Sequence, residues 1–483
     1  MVTPLTVAKI TEAPGRLPWL GHGLPLLRKP LELFSSLHSR GDIVELRLGR
    51  VKAFVLTHPS LIDQLLRESH GALVKGLGYS ETGALLGSGL IAVDGPYHRQ
   101  QRGLLNPLFT RPATEHHIPV FASVATEATN AWQPGQVLDF NSEMKRVATM
   151  AMTRSLCSLS LTRPEMDDLH KALPVIFKGT VRIGAFPWLL KLPLPSTRRY
   201  LAAIRKVRDT VNSHVTTRKR DDDEHHDMLS HLLGLRNADG GETLTAEQIL
   251  DEVVTAVVAG TESPGGALAW VFHHLAHDAR AEQQVIDEVD AVVGDQPVSA
   301  SHLPRLVYTQ RVMTEVLRMY SPWVFTRRST CPVTFQGIDF PADTEFIFSP
   351  YGVHHDARFH HEPFVFDPDR WLPDRAKDLP HGAYIPFSTG HYRCIGGSIT
   401  LTHAIVTIAT VISRWQLRHL DDVPVRMVAS GAVHPHRLLM VAHPRAGRLT
   451  GQQLDGSAGK DTHGTDSHVI QGGARADSRH ESS

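Results

Sequence analysis

Residues 385 to 400 read IPFSTGHYRCIGGSIT, and Cys394 stands among them as one of only 3 cysteines in a chain of 483 residues. Gly390 and Gly396 bracket it, Phe387 precedes it, and an apolar run, SITLTHAIVTIATVISRW, follows. A cysteine at the N-terminal end of a helix meets the positive end of the helix dipole and several unpaired backbone N–H groups. Both lower a thiol's pKa and favour the thiolate. Glycines let such a loop run close beneath a flat group, with N–H donors turned toward the sulfur. The chemistry on offer is that of a single thiolate ligand, open on one side.

One open thiolate suits a haem iron better than a zinc tetrahedron. GPYHRQQR sets His98 and Arg102 one helical turn apart on one face, and TEVLRMYSP sets Glu315 and Arg318 at i and i+3. Each pair, taken alone, is equally a solvated helix face. In AVVAGTESP, Pro264 lacks an N–H and leaves the carbonyl of Gly260 without its helical partner, so a kink or opened turn is expected there. The 30 histidines include adjacent pairs such as His225-His226 and His354-His355. Neighbours on a helix or strand point apart, so such pairs are poor chelates and most are expected to be solvated or packed.

Together these stretches resemble one family. FSTGHYRCIG is similar to the haem-binding loop of the cytochromes P-450, Phe-x-x-Gly-x-Arg/His-x-Cys-x-Gly. TEVLRMYSP resembles that family's Glu-x-x-Arg helix, FDPDRW its Phe-x-Pro-x-Arg-Phe/Trp segment, and AVVAGTESP its Ala-Gly-x-Glu-Thr stretch. The likeness runs in family order over roughly residues 12 to 445. It implies the cytochrome P-450 fold, mainly α with a small β-rich part, and haem b (iron protoporphyrin IX) with Cys394 as its metal ligand. It implies cofactor contacts from His98, Arg102, Arg327, Arg328, His391, Tyr392, Arg393 and Gly396, because propionates in a low-dielectric pocket need cationic or N–H partners. It makes Glu315, Arg318 and Arg370 a buried structural charge triad, and Glu262 with Ser263 the catalytic acid–alcohol pair that manages protons. Three positions depart from the pattern. Tyr392 replaces an Arg or His, Ser263 replaces a threonine, and Thr400 stands where a small alanine is usual. Arg393 or His391 is expected to make the propionate contact in place of Tyr392.

These residues need elements to hold them. IVELRLG and KAFVLT alternate as a hairpin should, helical spacing dominates from about 95 to 325, and residues 329 to 350 return to short strands. TRKRDDDEHHD (217–227) reads as a surface loop, and 446–483 as a disordered polar tail. The expected organisation is a single domain over 1–445, with its β-rich part at about 40–70 and a helical core holding the haem site at about 95–420. Lys plus Arg equals Asp plus Glu at 50 each, so no net field argues for nucleic acid. No early apolar run is long enough for a signal peptide or membrane anchor. Three scattered cysteines make no disulfide framework and point to the cytoplasm.

The resemblance implies insertion of one oxygen atom from O2 into an apolar small molecule, by hydroxylation or epoxidation. Ferredoxin and ferredoxin reductase are the expected electron donors, because no reductase domain is visible. Val257, Val258 and Ala259, with Trp323, Val324 and Phe325, are the candidate substrate pocket, and all are apolar. The wording resembles soluble bacterial members acting in terpenoid secondary metabolism. A haem-thiolate peroxygenase or isomerase and a non-catalytic haem sensor are the competing readings, and both would use the same cysteine.

Overall fold

The computed structural model describes residues 9–445, apart from 50, 69–70, 80–81, 186, 219–226, 237–242 and 422–423. The polar tail and most of the 217–227 segment therefore lie outside the described residues.

Six strands form one mixed sheet: β1 (Ile10–Glu12), β2 (Ile43–Leu48), β3 (Val51–Leu56), β4 (Leu73–Lys75), β5 (Phe325–Ser329) and β6 (Glu345–Phe348), in the order β1-β2-β3-β6-β5-β4. β2 and β3 are the expected hairpin, with Ile43 opposite Leu56. β6 joins β3 in parallel and β5 antiparallel. The β-rich part is thus wider than the 40–70 stretch, since two of its strands arrive from the 325–348 region. Pairing between strands so distant in sequence leaves no local signal in either. Phe54, Phe340 and Phe346 close one face of the sheet, with ring centroids 4.8 and 5.1 Å apart along the chain of contacts.

The helices that matter to the site are α1 (Gly95–Leu105), α2 (Phe140–Cys157), α3 (Pro195–Arg218), α4 (Ala246–His277), α5 (Val307–Met319) and α6 (Gly397–Ile412). At 32 residues, α4 is about 48 Å long and runs through the main core. Thr245 and Gln248 start it with a reciprocal capping box, which satisfies two of its orphan N–H groups. Of the kink or opened turn expected at Pro264, the opened turn is not formed: α4 is continuous across it. Packing supplies the reason. A Cβ on Gly265 would lie 2.6 Å from the backbone of Lys145, and one on Gly260 would lie 2.6 Å from the Met152 side chain. α2 therefore presses on α4 on both sides of the proline and holds the helix through the one missing bond. α6 is buried along most of its length, from Ile399 to Ile412. Among the described residues no helix is long and apolar enough to cross a membrane.

Candidate functional site

A short turn at Gly390–Tyr392 delivers Cys394 to the start of α6. Gly390 has φ +73°, where an L side chain is strained. The Cys394 N–H donates to the Phe387 carbonyl at 2.9 Å, and the Phe387 ring would lie 3.5 Å from a Cβ on Gly397. The residue keeps accessible surface although many protein atoms surround its sulfur. Burial pushes its thiol pKa up, and the Gly396 N–H, Arg102 and Arg393 oppose this without overcoming it. The lowering expected from the helix terminus is therefore outweighed. A metal at the sulfur reverses the balance, because a coordinating thiol is deprotonated outright. Thr400 is half-buried one turn further on, and its N–H donates to the Gly396 carbonyl at 2.9 Å.

Beside this loop the structure gathers positive charge around Tyr392. The His98 ring centroid lies 4.7 Å from the Tyr392 ring, the Arg327 guanidinium 4.9 Å and the Lys75 ammonium 5.2 Å. Lys75 donates to the carbonyls of Leu90 and Val93, both at 2.7 Å. Arg327 is 1% exposed, and its Nε has no hydrogen-bond partner among the described residues. Burial, then Lys75, Arg102 and Arg327, push His98 down to about 4, so it is neutral near pH 7. Burial takes Lys75 down to about 8. A surplus of buried cations with an unpaired donor needs anions, and the two carboxylates of a haem fit that need. The residues present fit the group.

Not every expected contact joins this cluster. Arg328 pairs with buried Glu345 on the opposite face of β5. Side chains alternate along a strand, so only one of two adjacent arginines can face the site. His391 and Arg393 are exposed. Arg393 contributes its carbonyl instead, accepting from Arg102 Nη1, while Arg102 Nε donates to Asn106 at 2.8 Å. Arg102 therefore ties α1 to the cysteine loop. The positive charge nearest the Tyr392 ring comes from Arg327 and Lys75 of the sheet.

On α4, Ala259 and Ser263 are exposed and Ala256 half-buried, all on one face by helical spacing, while Gly260 turns toward Met152 of α2. Val257 and Val258 are 3% and 5% exposed and belong to the core. Trp323 donates its indole N–H to the Ser430 carbonyl and lies 5.9 Å from the Phe34 ring. Val324 packs into the same small cluster, and the Phe325 ring lies 5.5 Å from Phe348. These three side chains make contacts in the sheet and are half-buried, and of the three expected pocket residues on α4 only Ala259 lies on its open face. Glu262 turns away from Ser263, toward Lys145 on α2 at 2.7 Å, with His434 Nε2 3.9 Å away. Beside it Thr149 donates to Thr261 at 3.1 Å and contacts His170 Nε2 at 3.0 Å.

The structure brings Glu315, Arg318 and Arg370 together. Glu315 and Arg318 are both 0% exposed and make two hydrogen bonds of 2.9 and 2.8 Å. Arg370 Nε and the Trp371 indole complete the carboxylate at 3.3 and 2.9 Å. Arg318 also donates to the carbonyls of His354 and Pro363, both at 2.7 Å. His354 Nδ1 contacts the Arg318 carbonyl at 3.0 Å, and the Ile385 N–H donates to His354 Nε2 at 2.9 Å. His354 therefore carries its proton on Nδ1 and links the triad to the segment entering the cysteine loop. Lys75, Lys145 and His354 are site residues that motif reading misses. Their neighbours come from distant stretches, and only the HisHis pattern at 354 marks any of them.

Comparison with known proteins agrees with this arrangement. The cytochrome P-450 family model matches residues 12–442. The chain is 35% identical to pentalenene oxygenase of Streptomyces avermitilis over 88% of its own length and 95% of that protein's. It is 34% identical to cyclooctat-9-en-7-ol 5-monooxygenase of Streptomyces melanosporofaciens, covering 90% and 95%, and 33% identical to cyclooctatin synthase of the same organism, covering 90% and 96%. A thiol at a glycine-bracketed helix start, a buried cationic cluster beside it and a family match along almost the whole length leave one assignment: this chain is a haem monooxygenase belonging to the cytochrome P-450 family.

Proposed function

We propose that the protein is a cytoplasmic terpenoid monooxygenase, a single domain over residues 1–445, that carries haem b and receives electrons from a ferredoxin through ferredoxin reductase. The observation that carries this reading is the open face of α4, apolar at Ala256 and Ala259 with the Ser263 hydroxyl at its end. Such a surface suits a hydrocarbon skeleton. The names of two relatives, an oxygenase of pentalenene and a monooxygenase of cyclooctat-9-en-7-ol, support a terpenoid. Exposed Arg99, His391 and Arg393 near the cysteine loop offer basic surface to an acidic electron carrier.

When bound, a haem with a thiolate ligand supplies the electron density that favours O–O cleavage. The chain's own residues do the rest. Cys394 is the ligand, and Lys75, His98 and Arg327 hold the propionates. Arg102 fixes the loop through the Arg393 carbonyl. Ser263 holds a hydroxyl, and any water it orders, on the open face of α4. Glu262 accepts and returns protons from the α2 side, where Lys145 lies 2.7 Å away.

The test is turnover of a terpene panel with NAD(P)H, a surrogate ferredoxin and its reductase. Oxygenated product that depends on the electron donor supports the proposal. Product formed equally well from hydrogen peroxide alone would favour a peroxygenase, and substrate binding without any product would favour a sensor.

A further inference from the structure

The loop before α1 is seated on α4. Ser88 donates from its N–H and its hydroxyl to Asp251, at 2.7 and 2.8 Å, and Arg208 of α3 reaches the same carboxylate at 2.8 Å. A Cβ on Gly89 would lie 2.1 Å from the Thr255 hydroxyl, so loop and helix are in close contact. Next to Asp251, Glu252 is 3% exposed. One of its oxygens accepts from the Leu90 N–H at 3.2 Å. The other oxygen, and the Thr255 hydroxyl one turn on, have no hydrogen-bond partner among the described residues.

A buried carboxyl oxygen without a partner is costly, on the order of 1–3 kcal/mol, so its presence calls for a ligand. Position on the helix says which ligand. Glu252 and Ser263 are three turns apart, within about 20° of one direction and about 16 Å along the axis. Ala256 and Ala259 lie between them on the same side. The open apolar face of α4 therefore has the Ser263 hydroxyl at one end, and in line with it at the other lies Glu252, buried where the 88–90 loop meets the helix. Burial, with Asp251 beside it, pushes the Glu252 carboxyl up to about 7, so near neutral pH it can both donate and accept.

We propose that Glu252, with Thr255, is a polar anchor for the substrate: the terpenoid carries a hydroxyl that hydrogen-bonds the unpartnered carboxyl oxygen, while its hydrocarbon body lies along Ala256 and Ala259. This rests on the terpenoid reading above and narrows it to an already oxygenated molecule. An earlier hydroxylation, or a cyclisation ended by water, must then supply the substrate.

The test is spectral titration of the haem-loaded enzyme with cyclic terpene hydrocarbons, each paired with its alcohol, α-cedrene with cedrol among them. Wild type should bind the alcohols about tenfold or more tighter than the matching hydrocarbons. Glu252→Leu should remove that preference and leave hydrocarbon affinity nearly unchanged, whereas Glu252→Gln, which keeps shape and hydrogen bonding, should retain most of it. Equal affinity within every pair, unaltered by Glu252→Leu, would overturn the anchor while leaving the terpenoid reading intact. Binding of no member of any pair would overturn both.

The C-terminal end of α4 carries a separate site. His273 and His277 stand one turn apart, and β7 (Trp415–His419) brings His419 against them, so that one ligand nitrogen from each lies within 4.8 Å of the others. His277 Nδ1 contacts the His273 carbonyl at 2.9 Å, which leaves Nε2 as the ligand, and His273 Nδ1 has no hydrogen-bond partner among the described residues. We infer that the three imidazoles bind one divalent transition cation of the zinc class, tying α4 to β7. Titrating the haem-loaded enzyme with zinc chloride in a calorimeter should show a micromolar site and a rise of a few degrees in Tm. His277→Ala, at an exposed position, should weaken that site at least tenfold. Binding that His277→Ala leaves unchanged, or that needs millimolar zinc, would overturn the inference.

Discussion

The carboxylate of Glu262 on α4 and the ammonium of Lys145 on α2 meet at 2.7 Å, with side chains 6% and 9% exposed. The pair lies just before Gly265, where the two helices leave no room for a side chain. It sits one residue from Ser263 in sequence and on a different side of the helix. Each charge is tolerated there because the other is present.

Lys145→Met should therefore leave a buried carboxylate uncompensated and cost about 3–5 kcal/mol, read from urea unfolding. Combining it with Glu262→Leu should recover most of that stability and still give poor coupling, because the proton carrier is gone. A double variant that forms as much product per NAD(P)H as wild type would remove Glu262 from the proton path.

Ser263→Ala should keep terpene binding and divert reducing equivalents into hydrogen peroxide, lowering product per NAD(P)H severalfold. Ser263→Thr should be tolerated. Because α4 is already continuous at Pro264, Pro264→Ala should couple almost as well as wild type. Peroxide yields that do not distinguish Ser263→Ala from wild type would contradict the role of the hydroxyl.

Sequence reading reaches the parts of this site that are local in the chain. The Cys394 loop and the Glu315–Arg318 pair each lie within one turn or helix, so spacing alone carries their geometry. It fails where the third dimension decides. The pleat of β5 chooses Arg327 over Arg328, and Lys75 reaches Tyr392 from a three-residue strand with no motif around it. Trp323, Val324 and Phe325 each make contacts in the sheet and keep part of their surface exposed, a division that their apolar character alone does not reveal. The thiol pKa is raised, not lowered, because burial around Cys394 outweighs the helix terminus, and burial cannot be counted from a loop's own residues. At Pro264 a neighbouring helix packs against the missing bond, and the turn stays closed.

His403 on α6 is 0% exposed, its two ring nitrogens have no hydrogen-bond partner among the described residues, and its ring meets Phe121 edge-on at 5.2 Å. Burial holds it down at about 3, against its ordinary value of 6.5. Between those values the unfolded chain binds the extra proton, so stability present above pH 6.5 falls away as pH drops toward 3. The slope is about 1.4 kcal/mol per pH unit for one such group. His403→Phe should flatten that decline between about pH 6 and pH 4. Urea midpoints that shift with pH as much as in wild type would show that His403 is not the group responsible.

Glu315 and Arg318 are buried without any exposed surface. Glu315→Ala leaves two arginines without their acid and should cost about 3–5 kcal/mol, giving poorly folded protein with little haem per chain. A soluble, fully haem-loaded Glu315→Ala with wild-type stability would contradict a structural role for the triad.

The ligand itself is tested most directly by the spectrum of the reduced, CO-treated protein. Wild type, Cys157→Ala and Cys331→Ala should all show the thiolate-type Soret band. Cys394→Ala should lose it while circular dichroism still reports a folded chain. Retention of the band in Cys394→Ala, or its loss in a folded Cys157→Ala or Cys331→Ala, would contradict the assignment of Cys394 as the haem ligand.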